Sequence, residues 1–122
     1  MQELEAAQEA LGYQFKNLDI LRESLTHASV TDNRLQSNER LEFLGDSILG
    51  YVICQYLYDT FPEELEGELT KIKSAVVSRR ICAKISAKLK LGDYLIVGKG
   101  MNGRSALPQS ILAGVYESVI AA

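Results

Sequence analysis

Apolar residues recur at intervals of three and four along most of the chain, the spacing typical of amphipathic helices. A first helix is predicted over residues 3–11, and Asn17 is a suitable N-cap for a second helix over residues 18–29. After a polar break, a long helix is predicted to continue to about Asp59. The apolar positions of this long helix are expected to face the core: Leu41, Leu44, Ile48 and Val52.

The second half of the chain also favours helices. One helix is predicted from Thr70 to Leu91, ended by Gly92, and a final helix from Ser110 to Ala122. Only Tyr94–Val97 has the composition of a strand, so the sequence predicts an all-α fold. Glycines at 98, 100 and 103 have the GxGxxG spacing of a phosphate-binding loop. No βαβ unit surrounds them, and we interpret them as an irregular connection.

The length of 122 residues predicts one domain, and neither a targeting segment nor a membrane span is visible. The longest apolar run, residues 48–54, is far shorter than the roughly 20 residues that a membrane span needs. Cys54 and Cys82 lie in apolar helical patterns without metal-ligand spacing, and we expect both to be buried free thiols. Free thiols are typical of a reducing compartment, which favours a cytoplasmic protein.

The net charge of −3 is unevenly distributed along the chain. Residues 1–68 contain 14 acidic and 4 basic residues, whereas residues 69–92 contain seven basic residues and no acid. This basic segment could face the phosphates of a nucleic acid, with Lys71 and Lys73 as candidates for RNA contact. It could equally be a solvated surface that offsets the acidic half of the domain, and the sequence leaves both interpretations open.

Three carboxylates share one face of the long predicted helix, because Glu39, Glu42 and Asp46 fall within a sector of about 60°. Such a stripe is most often a solvated face. Gly45 argues for a site, since glycine costs roughly 1 kcal/mol within a helix and so indicates close approach of another element. Glu117, a lone acid in an apolar helix, needs a partner. Carboxylates that converge from two helices suit Mg²⁺ or Mn²⁺ rather than Zn²⁺.

The segment NERLEFLGDSILG, residues 38–50, resembles the signature of the ribonuclease III family. The flanking sequences are also similar to that family: GYQFKNLDILRESLTHAS upstream, EGELTKIKSAVVS at 66–78, LIVGKG at 95–100 and SILAGVYESVIAA at 110–122. The resemblance implies the all-α endonuclease fold of this family over residues 1–122, and a homodimer. It also implies cleavage of double-stranded RNA with Mg²⁺, for which Mn²⁺ can substitute.

The same resemblance implies roles for particular residues. Glu42, Asp46 and Glu117 would be metal ligands, with Asp46 and Glu117 closest to the hydrolytic step, and Glu39 would support the site from its edge. Phe43 would insert into a pocket of a second subunit; a core position in its own subunit is the alternative. Each site would cut one strand and leave a 5′ phosphate and a short 3′ overhang, in RNA processing such as rRNA maturation in the cytoplasm.

Two departures from the family pattern bear on function. The family has an aspartate three residues before the position of Glu117, and this chain has Gly114 there, so the fourth ligand is missing. A degenerate member that binds RNA or a ribonucleoprotein without cutting is therefore the alternative function. The chain also ends inside the final predicted helix and includes no double-stranded-RNA-binding domain, so we expect a nuclease domain that is truncated at its C-terminal end.

Overall fold

The computed structural model describes residues 2–98 and 107–122. Regular structure in this part of the chain is helical, with six α-helices. They are α1 (Gln2–Leu11), α2 (Leu18–Ser24), α3 (Glu39–Thr60), α4 (Glu66–Val76), α5 (Arg79–Lys88) and α6 (Gln109–Ala121). Short 3₁₀ turns cover Ala28–Val30, Arg34–Gln36 and Leu91–Tyr94. The all-α class predicted from the sequence is confirmed.

Helix α6 is central to the fold, because it packs extensively against both α3 and α5. Several of its buried positions are small residues, which lets neighbouring helices approach closely. The main core combines leucines of other elements with valines of α6: Leu4, Leu21, Leu25, Leu91, Leu95, Val115 and Val119. A hydrogen bond from Ser118 Oγ to the carbonyl oxygen of Ser24, 2.7 Å long, joins α6 to α2. These contacts fix the position of α6, and with it the position of Glu117.

Gly45 lies at a close backbone contact between α3 and α6. A Cβ atom built at Gly45 would overlap the backbone carbonyl oxygen of Glu117. Backbone atoms within two packed helices cannot rotate away as a side chain can, so only glycine permits this contact. The close approach predicted from the cost of glycine in a helix is confirmed.

The prediction of one helix from Thr70 to Leu91 is wrong, because the chain breaks into α4 and α5. Helix α4 ends at Val76, and Ser78 is the N-cap of α5. The Ser78 hydroxyl oxygen accepts a hydrogen bond from the backbone N–H of Ile81 at 3.2 Å. Serine favours this non-helical cap conformation over a position inside a helix. Because of this break, α5 is not a continuation of α4, and it packs against α6.

The second predicted helix is confirmed but ends earlier than expected. The Asn17 side chain accepts hydrogen bonds from two backbone N–H groups of the first turn, and the helix ends at Ser24 rather than at residue 29. The chain then forms an isolated parallel bridge between Thr26 and Ile96. Within the described ranges this bridge is the only β-pairing, so the possible strand over Tyr94–Val97 does not form, in agreement with the predicted all-α class.

The apolar stripe of α3 lies only partly in the core. Leu41 and Ile48 are half-buried, but Leu44 and Val52 are exposed, so the expectation that all four face the core is wrong. Helical periodicity indicates that an apolar face exists, and it cannot indicate whether the same subunit covers that face. This part of α3 therefore offers a large apolar surface to solvent.

Three smaller expectations have different outcomes. Cys82 is buried as expected, but Cys54 is exposed, so the prediction of two buried thiols is wrong for Cys54. The glycine pattern falls mostly outside the described residues, since only Gly98 lies within them. Among the helices in the described ranges, none is both long enough and apolar enough to cross a membrane.

We expect Gly45→Ala to destabilise the domain, because the added methyl group would force α3 and α6 apart. Overpacking of this kind typically costs about 1–3 kcal/mol of unfolding free energy. Gly67→Ala in α4 is the matched control, because a Cβ atom at Gly67 would meet no atom within 4 Å. Urea unfolding should show a lower free energy of unfolding for Gly45→Ala and no loss for Gly67→Ala. Equal stability of the two variants would contradict the contact.

Candidate active site

Helices α3 and α6 place four carboxylates around one cavity. Glu42 and Asp46 are one helical turn apart on α3, and Glu117 of α6 is brought beside them by the backbone contact at Gly45. The cavity has a volume of about 410 Å³ and is lined by Glu39, Glu42, Phe43, Asp46, Arg79 and Glu117. The structure therefore brings together the three predicted metal ligands and Glu39, which was predicted to support them.

Glu117 is the most deeply buried of these acids, with 7% of its surface exposed. Burial is the largest cause that raises the pKa of Glu117 to about 7, because a less polar environment disfavours the charged form. Hydrogen bonding and charge repulsion with Asp46 raise this pKa further, while the positive charge of Arg79 lowers it. The carboxylates are thus crowded enough that a proton or a cation stabilises them.

Glu42 lies between Arg79 and Gly114. Its Oε1 atom is 3.6 Å from the guanidinium of Arg79. Its Oε2 atom is 2.6 Å from the position that a Cβ atom would take at Gly114. Gly114 therefore faces the carboxylate of Glu42. The Glu42 carboxylate fills part of the space that a side chain at position 114 would need.

Arg79 was not singled out by the sequence, which showed it only as one of seven basic residues in the segment 69–92. It is the first residue of α5, and its Nη1 atom donates a hydrogen bond to the carbonyl oxygen of Ser110 at 3.3 Å. Its position in the cavity depends on how α5 packs against α6, which no local pattern reveals. The one available signal was its location directly after Ser78, a residue suited to begin a helix.

Glu39 lies at the edge of the cavity and is paired with Arg34. The Arg34 guanidinium donates two hydrogen bonds to the Glu39 carboxylate, of which the one from Nε is 2.8 Å long. Hydrogen bonding to Arg34 is the main cause that lowers the pKa of Glu39. Arg34 offsets the negative charge of the Glu39 carboxylate. Glu39 therefore lies at the edge of the cavity as a neutralised ion pair.

Phe43 lies at the rim of the same cavity and is 79% exposed. The alternative expectation, a core position within its own subunit, is therefore wrong. Phe43 is part of a surface that we call the α3 apolar face, defined by Phe43, Leu44, Tyr51, Cys54 and Tyr58. These side chains share one side of α3 at helical spacing. The surface continues into a groove of about 510 Å³ that is lined by residues of α3 and α4.

The two lysines predicted to face RNA lie on α4 in different environments. Lys71 is exposed, and its Nζ atom is 3.9 Å from a carboxylate oxygen of Glu68. Lys73 is half-buried and lies against Gly50 of α3, where a Cβ atom would be 3.7 Å from its Cε atom. The basic segment 69–92 is therefore divided between two helices and does not form a single continuous face.

The side chains around the cavity fit a hard divalent cation. Glu42, Asp46 and Glu117 offer only oxygen ligands, which suits Mg²⁺ or Mn²⁺. Within residues 2–98 and 107–122, no three His, Cys, Asp or Glu side chains are already grouped closely enough to hold a metal ion. Glu42 is paired with Arg79 instead. Among the described residues that line this cavity, Arg79 is the one cation.

Comparison with known proteins decides the family. The family described as "Ribonuclease III domain" matches residues 39–122, which is more than half of the chain. The chain belongs to the ribonuclease III family. The resemblance carried by NERLEFLGDSILG is thus confirmed, and the match includes all four carboxylates that line the cavity.

Curated relatives named Ribonuclease 3 are similar to almost the whole of this ribonuclease III domain. The protein from Rhodopirellula baltica is 56% identical over 119 residues, which cover 98% of this chain and 45% of that protein. The protein from Glaesserella parasuis is 43% identical over 121 residues, which cover 98% of this chain and 53% of that protein. The chain therefore spans about half the length of the curated relatives that it matches.

Two solved structures of the nuclease domain of ribonuclease III from Campylobacter jejuni have the same fold. Each has a TM-score of 0.89 and 36% sequence identity to this ribonuclease III domain. They cover 97% and 99% of this chain, and this chain covers 82% of each. In one of these structures, a region of the nuclease domain that is involved in dimer formation shows structural flexibility.

We expect the metal-free ribonuclease III domain to lose stability as the pH rises from about 4.5 to about 7. The pKa of Glu117 is raised from 4.5 to about 7 in the folded state, so within this window the folded state holds a proton that the unfolded state has lost. Raising the pH therefore favours unfolding, and the effect is complete above the folded pKa. Unfolding free energies should be measured across this window with a chelator present.

Glu117→Gln keeps the shape of the side chain and removes its titration. The free energy of unfolding of this variant, relative to wild type, should therefore increase as the pH rises. Glu9→Gln on the exposed side of α1 is the control and should keep the wild-type profile. A wild-type profile that ran parallel to that of Glu117→Gln would contradict the raised pKa.

Proposed function

We propose that this domain is a metal-dependent endoribonuclease that cuts double-stranded RNA to products with 5′ phosphates and short 3′ overhangs. One observation carries the proposal: Glu42, Asp46 and Glu117 line the same cavity, in a chain that belongs to the ribonuclease III family. Carboxylates from two helices around one cavity are suited to phosphodiester hydrolysis with divalent ions. The curated relatives named Ribonuclease 3 support the same activity.

In this proposal Glu42, Asp46 and Glu117 hold Mg²⁺, or Mn²⁺ in its place. A bound divalent ion would supply an activated water and would stabilise charge on the leaving oxygen. Asp46 and Glu117, whose carboxyl groups interact directly, lie closest to the hydrolytic step. Glu117 releases the proton that its raised pKa retains in the metal-free protein. Attack of water on phosphorus, with departure of the 3′ oxygen, leaves the phosphate on the 5′ end of the product.

We propose that RNA lies along the cavity side of the domain, with Lys71 near the phosphate backbone. Lys71 is exposed, and its pairing with Glu68 is a surface interaction of small energy, so it is available to a phosphate. Lys73 is less well placed, because it packs against α3. We further propose that residues 1–122 are a nuclease domain that acts in RNA processing such as rRNA maturation, in the cytoplasm.

The alternative, a degenerate member that binds RNA without cutting, is less favoured. Its basis is Gly114, which replaces a carboxylate expected from the family pattern. The three remaining carboxylates nevertheless line a common cavity, and the space at position 114 is partly filled by the carboxylate of Glu42. The site therefore retains a set of oxygen ligands.

We also propose that two copies of the chain associate through the α3 apolar face. Large apolar side chains with high exposure mark interaction surfaces in soluble proteins. Phe43 is 79% exposed and lies at the end of the α3 apolar face that borders the carboxylate cavity. It is therefore suited to enter a pocket of a second copy. Dimer formation by the nuclease domain from Campylobacter jejuni supports the proposal.

The activity can be tested with a long RNA duplex under single-turnover conditions. Wild type should cut the duplex when Mg²⁺ or Mn²⁺ is added, and Glu117→Gln should lower the rate by at least about a hundredfold, as removal of one charge-stabilising group commonly does. Glu5→Gln is the control, because it removes one acid from an exposed position on α1, outside the cavity. An intact duplex with folded wild-type protein at millimolar metal would support the non-cutting alternative.

The dimer can be tested by sedimentation of Phe43→Ala. Loss of an aromatic anchor from an interface can cost about 2 kcal/mol or more of association energy, so this variant should shift toward monomer. Tyr13→Ala removes an exposed aromatic side chain that is not part of the α3 apolar face and should sediment like wild type. If wild type is itself monomeric at tens of micromolar, the proposed association is wrong for this chain.

A further inference from the structure

Arg79 occupies a position that is unfavourable for its own helix. It is the first residue of α5, and Arg80 follows it. The N-terminal end of a helix carries a partial positive charge, so cations in the first turn are destabilising. Arg79 compensates by turning toward α3 and α6, where it meets the Glu42 carboxylate at 3.6 Å and the Ser110 carbonyl oxygen at 3.3 Å. Its guanidinium is thereby held inside the carboxylate cavity.

Gly114 makes room for the arrangement of Glu42 and Arg79. A Cβ atom at position 114 would lie 2.6 Å from Glu42 Oε2 and 3.0 Å from its carboxyl carbon, so any other residue would displace this carboxylate. Beside it, a second cavity of about 440 Å³ is lined by residues that include Glu42, Arg79, Ser110 and Gly114. The Glu42 carboxylate thus lies between the Arg79 guanidinium and the side-chain space that Gly114 leaves open.

We propose that Arg79 is a built-in cation that competes with divalent metal for Glu42 and thereby sets the metal affinity of the site. This inference rests on the proposed metal-dependent function. Arg79 must release Glu42 before Glu42 can act as a ligand together with Asp46 and Glu117. A positive charge within the same cavity also repels a dication directly. Arg79 is therefore a positioning residue, whose effect is exerted on metal binding before any RNA is cut.

The test is metal binding by the intact chain, without RNA and without turnover. Calorimetric titration with MnCl₂, and melting curves across a MgCl₂ series, should be compared for wild type and Arg79→Gln. The Arg79 side chain is half-exposed, so its replacement removes little packing. Arg79→Gln should bind Mn²⁺ about tenfold more tightly, since loss of one nearby charge changes the binding energy on this scale. Without metal, the variant should melt at a lower temperature, because the carboxylates lose their counter-ion.

Two matched variants separate this effect from a change in overall charge. Arg80→Gln removes the same charge from the same helical turn, and within the described residues Arg80 has neither an ion pair nor a place in the carboxylate cavity. It should bind Mn²⁺ within about twofold of wild type. Arg79→Lys keeps a cation at the site and should stay closer to wild type than Arg79→Gln does.

The outcomes distinguish this inference from the proposed function. Weaker Mn²⁺ binding by Arg79→Gln, or an equal gain in Arg80→Gln, would overturn the role of Arg79 and leave the metal site intact. Unchanged binding by Arg79→Gln would do the same. Binding that appears only in Arg79→Gln would support the inference strongly. Absence of binding in both wild type and Arg79→Gln would overturn the inference and the metal-dependent function together.

Discussion

The missing side chain at Gly45 allows the backbones of α3 and α6 to touch, and the rest of the site depends on this contact. Because the carbonyl oxygen of Glu117 packs against α3 at that point, the Glu117 side chain enters the cavity beside Asp46, the residue that follows Gly45. A wider separation of the two helices would leave Glu117 in an apolar core without partners. The same glycine that weakens α3 as an isolated helix therefore determines where the carboxylates meet.

Crowded carboxylates then determine the electrostatics of the domain. Each acid around the cavity has a different partner: Glu39 pairs with Arg34, Glu42 pairs with Arg79, and Glu117 interacts with Asp46 and has a raised pKa. Burial makes the charged form of Glu117 unfavourable, whereas the more exposed Glu39 keeps a lowered pKa through its hydrogen bonds to Arg34. The edge of the site, at Glu39, is thus neutralised by Arg34, whereas the centre, at Glu117, is buried. Added positive charge therefore has its largest effect beside Glu117.

The sequence predicted those features of the site that depend on a single helix. The spacing of Glu42 and Asp46 and the cost of Gly45 are properties of α3 alone, and both expectations match the structure. Features that depend on packing between elements were predictable only in part: Gly45 indicated a close approach and Glu117 a partner, but no pattern indicated where the segment 69–92 would lie. Arg79 enters the cavity only because Ser78 breaks the helix and redirects α5 toward α6. Likewise, the helical periodicity predicts that Leu44 and Val52 face the core, but both are exposed. Periodicity does not show which subunit covers an apolar face.

Phe43 connects the apolar surface to the carboxylate cavity. It lies next to Glu42 in the chain, lines the cavity and is still 79% exposed. A second subunit that covered Phe43 would exclude water from one wall of the cavity and would strengthen the charge interactions within it. Crowding of the carboxylates would then be more unfavourable without a cation, and a bound cation would be held more tightly. By linkage the reverse also holds, so a metal ion in the cavity would favour association through the α3 apolar face. The position of Phe43 beside Glu42 would thus make metal binding and dimer formation interdependent.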